Sequence, residues 1–444
     1  MTRKFRFFAL ALALVMCFAS AGTVLANSTA LNNNGAIVAP DEDNPVQTSI
    51  RKVLRLPVGT TTPDATFKFD AKKVSVDDDS STEALGTMPD LNALNDLSVT
   101  YTATNTAAND PETNTMSIVL DTGNIFAGVT FPHAGVFVYE ISEIEDTNDD
   151  IDANAPDEIL IYSKAVYTLR VYVANNEDYT ETFIHAIAII VDTPDIAGPE
   201  DDGDDDDENG ENNAVVKVDQ MIFTNDYVKT NGPEDPEDPD PVNHSTLSVS
   251  KTVTGDLGNR ELYFDYTMTL TPPILLRDVP LYYRAYVVEG GEVIDPEDNA
   301  AEALIGTDED GDSFIRISTS GTTAFKLKHG QRLVFVDTPV GTMYTVTEAA
   351  ATGYRPSIIV TTDGSPGAVI GGTQVNVELS TGVLPQRVGE STNIAAFTNE
   401  RTSIVPTGVN INDLPFLGLI ALPIGALIGF IGIKSRKRNY TACK

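Results

Sequence analysis

Cysteine is almost absent from this sequence of 444 residues. Cys17 and Cys443 lie close to the two ends of the chain, and everything between them is free of thiols. A disulfide framework is therefore excluded for the central part of the chain. Tryptophan is missing and there are four histidines, which argues against a transition-metal site. We expect no metal and no other cofactor.

Positive charge is also scarce. The chain has 29 Lys and Arg residues against 65 Asp and Glu residues, and its formal net charge is -36. Eight of those cations lie in the two terminal segments, so the chain between them is still more acidic. This charge argues against nucleic acid and anionic membrane surfaces as partners.

Long apolar runs occur only at the two ends. Residues 1-26 contain three basic residues, an apolar core and then small residues up to Ala26, which is typical of a cleaved secretory signal peptide. A lipid anchor centred on Cys17 is the alternative, although the residue before it is large. Residues 414-433 are long and apolar enough to span a membrane, and the basic tail 434-444 is then cytoplasmic. The chain between these segments is predicted to lie outside the cell.

Helical periodicity is nearly absent from the middle of the chain. Short runs rich in Val, Ile, Thr, Tyr and Phe alternate with turn residues, as in GVFVYEISEI and QRLVFVD, and this pattern predicts an all-β protein. A stiff acidic and Pro-rich linker at 231-243 separates two halves, 44-230 and 244-402. Each half has the size of one Ig-like β-sandwich. The acidic run 199-213 is interpreted as a solvated loop within the first half.

The two halves repeat short segments in the same order. The first half contains SIRKVLRL, TFKFD, GVFVYEISE and MIFTND, and the second contains LSVSKTV, YFDYTM, GTMYTVTE and AAFTNE. Each series has a Lys in its opening strand, a Glu after a Tyr-containing strand and a closing Phe-Thr-Asn. This recurrence predicts two copies of one module.

Three polar residue types fall on the apolar face of these predicted strands. Side chains two apart share a face, and this alternation directs six residues inward: Lys52, Glu143 and Asn225 in the first half, and Lys251, Glu348 and Asn399 in the second. A buried unpaired charge is costly, so a repeat in matching order indicates a common role. An ordinary buried Lys-Glu ion pair with a nearby Asn is the alternative.

This combination of residues can form a covalent bond. Burial lowers the pKa of a lysine amine and raises the pKa of a glutamate, so both can be neutral. A neutral amine is a nucleophile and the Asn carboxamide carbon is an electrophile. The protonated Glu can hydrogen-bond the amide oxygen and transfer protons so that ammonia leaves. The predicted product is an amide bridge between the first and last strands of each module.

The order of these motifs, with the ending FTNERTSIVPTGV, resembles the backbone pilins of Gram-positive bacteria. The streptococcal T-antigen type, with two pilin isopeptide-linkage domains in tandem, is the most similar, and the resemblance covers essentially the whole exported chain. It implies two isopeptide bonds with their autocatalytic acids: Lys52 to Asn225 with Glu143, and Lys251 to Asn399 with Glu348. The acidic insertion at 201-211 departs from this pattern and leaves the course of the strand before Asn225 open.

The pentapeptide IVPTG at 404-408 resembles the sorting signal of sortase substrates, because an apolar span and a basic tail follow it. The resemblance implies that a sortase recognises Val405, Pro406, Thr407 and Gly408. Its thiolate attacks the Thr407 carbonyl and releases the chain from Gly408 onward. A plain single-span anchor is the alternative, and a eukaryotic lipid-anchor signal would lack the basic tail.

Polymer growth requires a lysine that accepts the Thr407 acyl group. In the pilins that this chain resembles, this lysine lies shortly before the closing Asn and near the domain junction, which implies Lys217. Strict alternation counted from Asn225 directs Lys217 inward unless a bulge intervenes. Lys229 and Lys164 are the competing candidates, and a plain surface lysine is the alternative.

Two acidic stretches, 146-158 and 308-312, bring carboxylates close together in the sequence. Neither has the complete calcium-binding loop of twelve residues, and we interpret both as solvated loops.

These features predict a secreted structural subunit of a pilus shaft rather than a turnover enzyme. Its expected partners are a sortase, other pilin subunits and the peptidoglycan of the cell wall, while host surface ligands are left open. The alternative is a monomeric wall-anchored adhesin or a calcium-binding surface protein.

Overall fold

The computed structural model describes residues 30–31, 37–91, 97–145, 148, 151, 158–195, 216–230, 240–243 and 245–402. The predicted signal peptide, sorting signal, membrane span and basic tail lie outside these residues. So do the acidic run 199-213 and most of the linker 231-243. Within the described part of the chain, no helix has the length and apolar character needed to cross a membrane.

The first half is built from short strands. They are β1 (Ala30–Leu31), β2 (Ile37–Val38), β3 (Ile50–Pro57), β4 (Ala65–Val76), β5 (Ser98–Tyr101), β6 (Ala108–Asp110), β7 (Thr115–Asp121), β8 (Gly135–Ile144), β9 (Glu158–Ile161), β10 (Val166–Asn175), β11 (Thr182–Thr193), β12 (Val216–Val218) and β13 (Met221–Lys229). One helix, α1 (Thr82–Thr87), follows β4. The Ser81 hydroxyl caps it by accepting a hydrogen bond from the Ala84 backbone N–H.

These strands form two main sheets. One is six-stranded with the order β12-β11-β10-β8-β4-β5, and the other is five-stranded with the order β6-β7-β3-β13-β9. The apolar faces of both sheets contribute to one hydrophobic core. The opening strand β3 and the closing strand β13 are parallel neighbours in the second sheet, while β8 belongs to the first. The core therefore separates β8 from the β3-β13 pair.

The second half has the same kind of architecture. Its strands are β14 (Leu247–Thr254), β15 (Phe264–Thr271), β16 (Tyr282–Glu289), β17 (Glu292–Ile294), β18 (Ile305–Thr307), β19 (Ser313–Ser318), β20 (Thr322–Leu327), β21 (Gln331–Phe335), β22 (Met343–Glu348), β23 (Arg355–Thr362), β24 (Ser365–Pro366), β25 (Ile370–Gly371), β26 (Leu379–Ser380), β27 (Gln386–Arg387) and β28 (Ile394–Glu400). A 3-10 helix covers Glu302–Leu304. A ten-stranded sheet containing β14, β28 and β21 faces a five-stranded sheet containing β20, β15 and β22, and a second hydrophobic core lies between them.

The two halves share their pairing pattern at the centre of the fold. In each, the first and last strands are parallel neighbours, with Lys52 opposite Phe223 and Lys251 opposite Phe397. The strand that ends in the predicted catalytic Glu pairs in both halves with the second long strand, β4 or β15. The predicted fold class, all-β with two tandem β-sandwich domains, is confirmed.

The alternation predicted for the opening strand is observed. Along β3, Ile50, Lys52 and Leu54 are fully buried, whereas Arg51 and Arg55 on the other face remain partly exposed. Val, Ile and Leu at every second position supply the apolar face that a half-buried strand requires. The strand has to accept a lysine on that face because the flanking apolar residues set its orientation.

The two sandwiches contact each other at the ends of β3 and β13. The Val340 backbone N–H donates a 2.9 Å hydrogen bond to the Lys229 carbonyl, and Thr230 forms an isolated β-bridge with Pro339. Apolar packing adds to this contact through a small cluster that contains Val228, Leu275 and Leu276. We call this contact region the junction.

Glu390 is the polar anchor of the junction. It belongs to the second sandwich and accepts hydrogen bonds from the backbone N–H and the hydroxyl of Thr61 in the first, at 2.7 and 2.6 Å. Lys229 Nζ lies 3.3 Å from the same carboxylate. Nearby, Gly341 has a φ of +88°, and a Cβ atom placed on it would lie 2.3 Å from Pro57 Cβ. The Gly341 backbone and the Pro57 ring therefore approach too closely there for any larger residue at 341.

Strand direction gives the molecule a polarity. In the first sandwich, β3 and β13 run towards the junction, because Pro57 and Lys229 at their ends contact the second sandwich. In the second, Thr246 precedes β14 and its hydroxyl accepts a hydrogen bond from the Thr338 N–H beside the junction. The parallel strands β14 and β28 therefore run away from the junction. The described chain thus ends, at residue 402, at the pole far from the first sandwich.

Candidate functional site

The first sandwich brings Lys52, Glu143 and Asn225 together in its core. Lys52 and Asn225 project from the adjacent strands β3 and β13, and Glu143 reaches them from β8 of the facing sheet. Lys52 Nζ lies 2.5 Å from Asn225 Oδ1 and 2.7 Å from Glu143 Oε1. Asn225 Nδ2 donates to that same Oε1 at 2.9 Å. One carboxylate oxygen therefore contacts both the amine and the carboxamide nitrogen.

Burial controls the protonation of this group. Lys52 and Asn225 are fully buried and Glu143 is 8% exposed, with the Phe67 ring centre 4.7 Å from Lys52 Nζ. Burial lowers the pKa of Lys52 to about 8, although the neighbouring Glu143 opposes this shift. Burial also raises the pKa of Glu143 above its usual value, against the effect of Lys52. Both shifts favour the pair of neutral side chains that nucleophilic attack requires.

The second sandwich repeats the arrangement with Lys251, Glu348 and Asn399. Lys251 lies on β14 and Asn399 on the parallel strand β28, while Glu348 ends β22 of the facing sheet. Lys251 Nζ lies 2.8 Å from Glu348 Oε1, which also accepts a hydrogen bond from Asn399 Nδ2. All three residues are at most 1% exposed. The same carboxylate oxygen again contacts both nitrogen atoms.

The apolar surroundings of the second group have a similar effect on its amine. Lys251 Nζ lies 3.9 Å from the centre of the Phe264 ring. Burial lowers the pKa of Lys251 to about 8, with Glu348 opposing the shift. The Tyr266 hydroxyl donates a 3.2 Å hydrogen bond to Glu348 Oε2, the carboxylate oxygen that faces away from the amine. The acid is thereby held in one orientation.

Sequence reasoning missed two groups in these sites, Tyr266 and Ser163. Tyr266 lies opposite Glu348 in the β15-β22 register, and alternation along β15 would have identified it as inward-facing. The backbone N–H of Ser163 donates to Asn225 Oδ1 at 2.7 Å and to Glu143 Oε2 at 3.1 Å. A backbone donor carries no side-chain signature, so the sequence had no signal for it.

The three candidate acceptor lysines occupy different environments. Lys217 is exposed on β12, the edge strand of its sheet, and no ion pair is found for it within the described part of the chain. Lys164 is half-exposed and pairs with Glu145. Lys229 pairs with Glu390 across the junction, and its side chain is 27% exposed. Of the three, Lys217 is the one whose amine has no ion pair with a described residue.

The unbroken alternation that would direct Lys217 inward is not observed. Residues 219–220 form a bend that separates β12 from β13, and the two strands belong to different sheets. Alternation counted from Asn225 therefore does not continue to Lys217, which faces outward. The expected position beside the junction is wrong, because β13 leads from the neighbourhood of Lys217 to the junction residue Lys229. That strand is about 30 Å long at roughly 3.3 Å per residue.

The other predicted features are the sorting signal and the two acidic stretches. The sorting-signal residues Val405, Pro406, Thr407 and Gly408 lie outside the described residues, as does most of the acidic stretch 146-158. The second acidic stretch, 308-312, forms a turn. Asp308 accepts hydrogen bonds there from the Asp312 backbone N–H at 2.8 Å and from the Tyr286 hydroxyl at 2.9 Å.

Comparison with known proteins finds a family model and a pilin that are similar to parts of this chain. A family model described as a domain of unknown function (DUF7601) matches residues 245–401, which is the second sandwich. A pilin from Streptococcus pyogenes serotype M1 is 26% identical over 197 residues, or 44% of this chain. That match covers 49% of the relative, so it spans about half the relative's length. The resemblance to streptococcal pilins that the motifs indicate is confirmed.

Solved structures of pilins are also similar to this chain. The crystal structure of the major pilin from Streptococcus pyogenes is 19% identical and aligns over 81% of this chain and 100% of its own, with a TM-score of 0.30. The T3.2 major pilin from the same organism is 19% identical over 80% of this chain and 98% of its own, with a TM-score of 0.29.

Proposed function

We propose that this relative of the streptococcal pilins is a structural subunit of a pilus shaft, stapled by two self-formed Lys-Asn isopeptide bonds and polymerised by a sortase. The observation that carries the proposal is the repeated buried triad. The two sandwiches place Lys, Glu and Asn on equivalent strands, with the Lys in the same register relative to the closing Phe-Thr-Asn. A buried ion pair between Lys and Glu would not require an Asn beside it in both domains.

The proposed reaction is a condensation that loses ammonia. The lone pair of Lys52 Nζ attacks Asn225 Cγ, and the carbonyl electron pair moves onto Oδ1. Glu143 transfers a proton from Nζ to Nδ2, the carbon-nitrogen bond breaks, and ammonia leaves as the carbonyl re-forms. Lys251, Glu348 and Asn399 carry out the same steps in the second sandwich. The chemistry occurs once, within the chain itself, and no turnover follows.

The polarity of the molecule supports head-to-tail assembly. The segment that leads to the sorting signal leaves the end of β28, at the pole far from the first sandwich. Lys217 precedes the start of β13, whereas the junction is at the end of that strand. Donor and acceptor thus belong to opposite ends of the subunit, and such a heterologous contact extends a filament rather than closing it. Sortase would join Thr407 to Lys217 of the next subunit.

The proposed location is the cell surface. The signal peptide directs export, the span 414-433 holds the chain at the membrane until sortase cleaves after Thr407, and the last transfer links the shaft to peptidoglycan. The pilin relative supports a surface-exposed structural role. The acidic exported chain, with no cysteine between its two end segments, fits a fibre that depends on amide bonds, which reducing agents do not cleave.

The intact mass of the folded, exported fragment tests the covalent proposal. Each bond expels one ammonia, so the wild-type mass should fall about 34 Da below the sequence mass, and Glu143→Ala or Glu348→Ala should each restore about 17 Da. Tyr139→Phe is a matched control, because it alters a buried side chain on the Glu143 strand outside the triad. An unmodified mass in well-folded wild-type protein would refute the isopeptide mechanism.

A further inference from the structure

The environment of the Asn carboxamide oxygen differs between the two sandwiches. In the first, Asn225 Oδ1 accepts a 2.7 Å hydrogen bond from the backbone N–H of Ser163 in addition to its contact with Lys52. In the second, Asn399 Oδ1 is buried and has no hydrogen-bond partner among the described residues. The same reaction would therefore place negative charge on an oxygen that has a backbone donor in one domain and none in the other.

The position of Ser163 follows from the course of the chain. Strand β9 pairs with the closing strand β13, and β10 pairs with β8, which carries Glu143. The short connection between β9 and β10 therefore crosses from one sheet to the other beside the triad. Ser163 lies in that connection and is 5% exposed. Its N–H consequently points at both Asn225 and Glu143.

A second carboxylate holds this connection in place. The Ser163 hydroxyl donates a short hydrogen bond to Asp195 Oδ1 and accepts one from the Ala165 N–H at 3.2 Å. Asp195 Oδ2 accepts a 2.6 Å hydrogen bond from the Thr224 backbone N–H, in the residue before Asn225. Asp195 thus links, by hydrogen bonds, the connection that contains Ser163 to β13, the strand that carries Asn225.

We propose that the Ser163 N–H stabilises the negative charge that develops on Asn225 Oδ1 during bond formation, and that Asp195 is the positioning residue that aims it. This inference rests on the proposed isopeptide reaction. When Lys52 Nζ attacks Cγ, the carbonyl electron pair moves to Oδ1, and a donor already aligned with that oxygen stabilises the charge without reorganising. The bond of the first sandwich then forms faster than that of the second.

Asp195 could also act through its charge, and the two roles have opposite signs. Its negative charge favours the protonated form of Lys52 and so raises the pKa of that amine. If charge were its main effect, removing it would leave more neutral amine and accelerate the reaction. If positioning is its main effect, removing the hydrogen-bond acceptor slows the reaction. The sign of the change in rate therefore separates the two roles.

The test is a pulse-labelled cell-free synthesis of the exported chain, sampled into denaturant and digested, with the linked and unlinked peptides of each domain quantified by mass spectrometry. In the wild type we expect the Lys52-Asn225 peptide to appear at least about tenfold faster than the Lys251-Asn399 peptide. Asp195→Ala and Ser163→Ala should each slow the first bond by about tenfold or more. The second bond, in the same molecule, is the internal control.

Conservative variants distinguish positioning from a general loss of structure. Asp195→Asn keeps an oxygen that can accept from the Thr224 N–H and gains an amide that can donate to the Ser163 hydroxyl oxygen, and Ser163→Thr keeps the hydroxyl. Both should therefore retain most of the wild-type rate. The double variant Asp195→Ala, Ser163→Ala should be no slower than Asp195→Ala alone, because the Ser163 hydroxyl acts through Asp195. Unfolding of Asp195→Ala in a Glu143→Ala background should remain as cooperative as that of Glu143→Ala alone, which establishes that the unlinked fold is intact.

The outcomes separate this inference from the proposed function. If neither domain of the wild type contains a linked peptide, the isopeptide mechanism itself is wrong. If both domains become linked and Asp195→Ala leaves the first rate unchanged or increases it, only the role of Ser163 and Asp195 is overturned. Equal rates for the two wild-type domains would likewise contradict an advantage from the backbone donor.

Discussion

At the scale of single residues, the decisive feature is a carboxylate oxygen shared by two nitrogen atoms. Glu143 Oε1 contacts Lys52 Nζ and Asn225 Nδ2 at 2.7 and 2.9 Å, and Glu348 Oε1 makes the equivalent contacts. A buried ion pair alone contributes little net stability, because desolvation offsets the attraction. A proton shuttle between an amine and a leaving nitrogen requires this geometry.

The rate of bond formation in the first sandwich should have a maximum between two pH limits. The reactive pair carries one proton, on Glu143, with Lys52 neutral. Above the lowered Lys52 pKa of about 8 the pair loses that proton and the acid is no longer available. Below the raised Glu143 pKa a second proton converts the amine to an ammonium. The rate should therefore fall on both sides, by about tenfold per pH unit well above pH 8.

The measurement transfers pulse-labelled chains into buffers from acidic to alkaline pH and follows the linked peptide over time. Asp77→Asn removes an exposed carboxylate just after β4, which accepts a hydrogen bond from the Val136 N–H at the start of β8. This variant controls for effects of pH on folding away from the triad. A rate that continues to rise through strongly alkaline pH would mean that the amine reacts without a protonated acid, and the role assigned to Glu143 would be wrong.

At the scale of elements, each bridge would join the first and last strands of a sandwich. β14 and β28 are parallel neighbours, and β28 also pairs with β23. Parallel pairing of chain-distant strands has a high entropic cost during folding. A covalent tie between them removes conformations from the unfolded chain and prevents β28 from peeling away at the pole from which the polymer would pull.

Removing the second bridge should destabilise its own domain selectively. A cross-link closing a loop of this size contributes about 4 to 5 kcal/mol in the chain-entropy model. Asn399→Ala should therefore lower the melting temperature of the second sandwich by roughly 10 °C and expose it to trypsin. Calorimetry and timed proteolysis measure both effects. The first sandwich, whose proposed bridge the substitution leaves untouched, is the control within the same molecule.

A second variant tests whether the loss of stability comes from the missing bridge or from the loss of the Asn399 side chain itself. Lys251→Ala combined with Asn399→Ala should be about as unstable as Asn399→Ala alone, since either change removes the same bridge. Survival of Asn399→Ala under trypsin for as long as the wild type would contradict a bridge in this domain.

At the scale of the whole molecule, the junction decides whether the subunit behaves as one rod or as two hinged domains. Glu390 receives two hydrogen bonds from Thr61 and an ion pair from Lys229. Gly341 lets the two backbones approach at Pro57. These contacts join the domains independently of the linker 231-243. A shaft subunit that carries tension along its length would benefit from such a rigid connection.

Gly341→Ala should uncouple the two sandwiches. The new Cβ would lie 2.3 Å from Pro57 Cβ, a distance that forces the domains apart. Gly330→Ala is the matched control, because Gly330 has nearly the same φ, +87° against +88°, but no atom within 4 Å of the added Cβ. Both variants strain the backbone. Only Gly341→Ala should separate the calorimetric transitions of the two domains. Only this variant should also change the small-angle scattering profile in the way expected for domains that move independently.

Polymerisation should depend on Lys217. Lys217→Ala should abolish the ladder of high-mass, boiling-resistant species in cell-wall extracts while leaving both internal bridges and the wall attachment of the monomer intact. Lys164→Ala is the control, since Lys164 is paired with Glu145. A ladder that persists in Lys217→Ala, with the peptide linked to Thr407 mapped to Lys229 or Lys164, would overturn this assignment and leave the pilin relationship untouched.

Much of the site could be predicted from the sequence because strand alternation is a local property. Side chains two apart share a face in every strand, so apolar neighbours were enough to direct Lys52, Glu143 and Asn225 into a core. The repeat of the same order then indicated equivalent strands in the second half. The direction of Lys217 could not be predicted in the same way, because it depended on whether the strand before Asn225 was regular, and the bend at 219–220 interrupts the alternation there.

The sequence alone determined the fold class, the two modules and the inward direction of the six polar side chains, since all three depend on the period and order of short segments. Tertiary structure alone decided which groups meet across the core. The Ser163 N–H reaches Asn225 because β9 and β10 belong to different sheets, and Glu390 reaches Thr61 because two domains abut. Such contacts join positions far apart in the chain through backbone atoms and domain packing, which leave no periodic trace in the sequence.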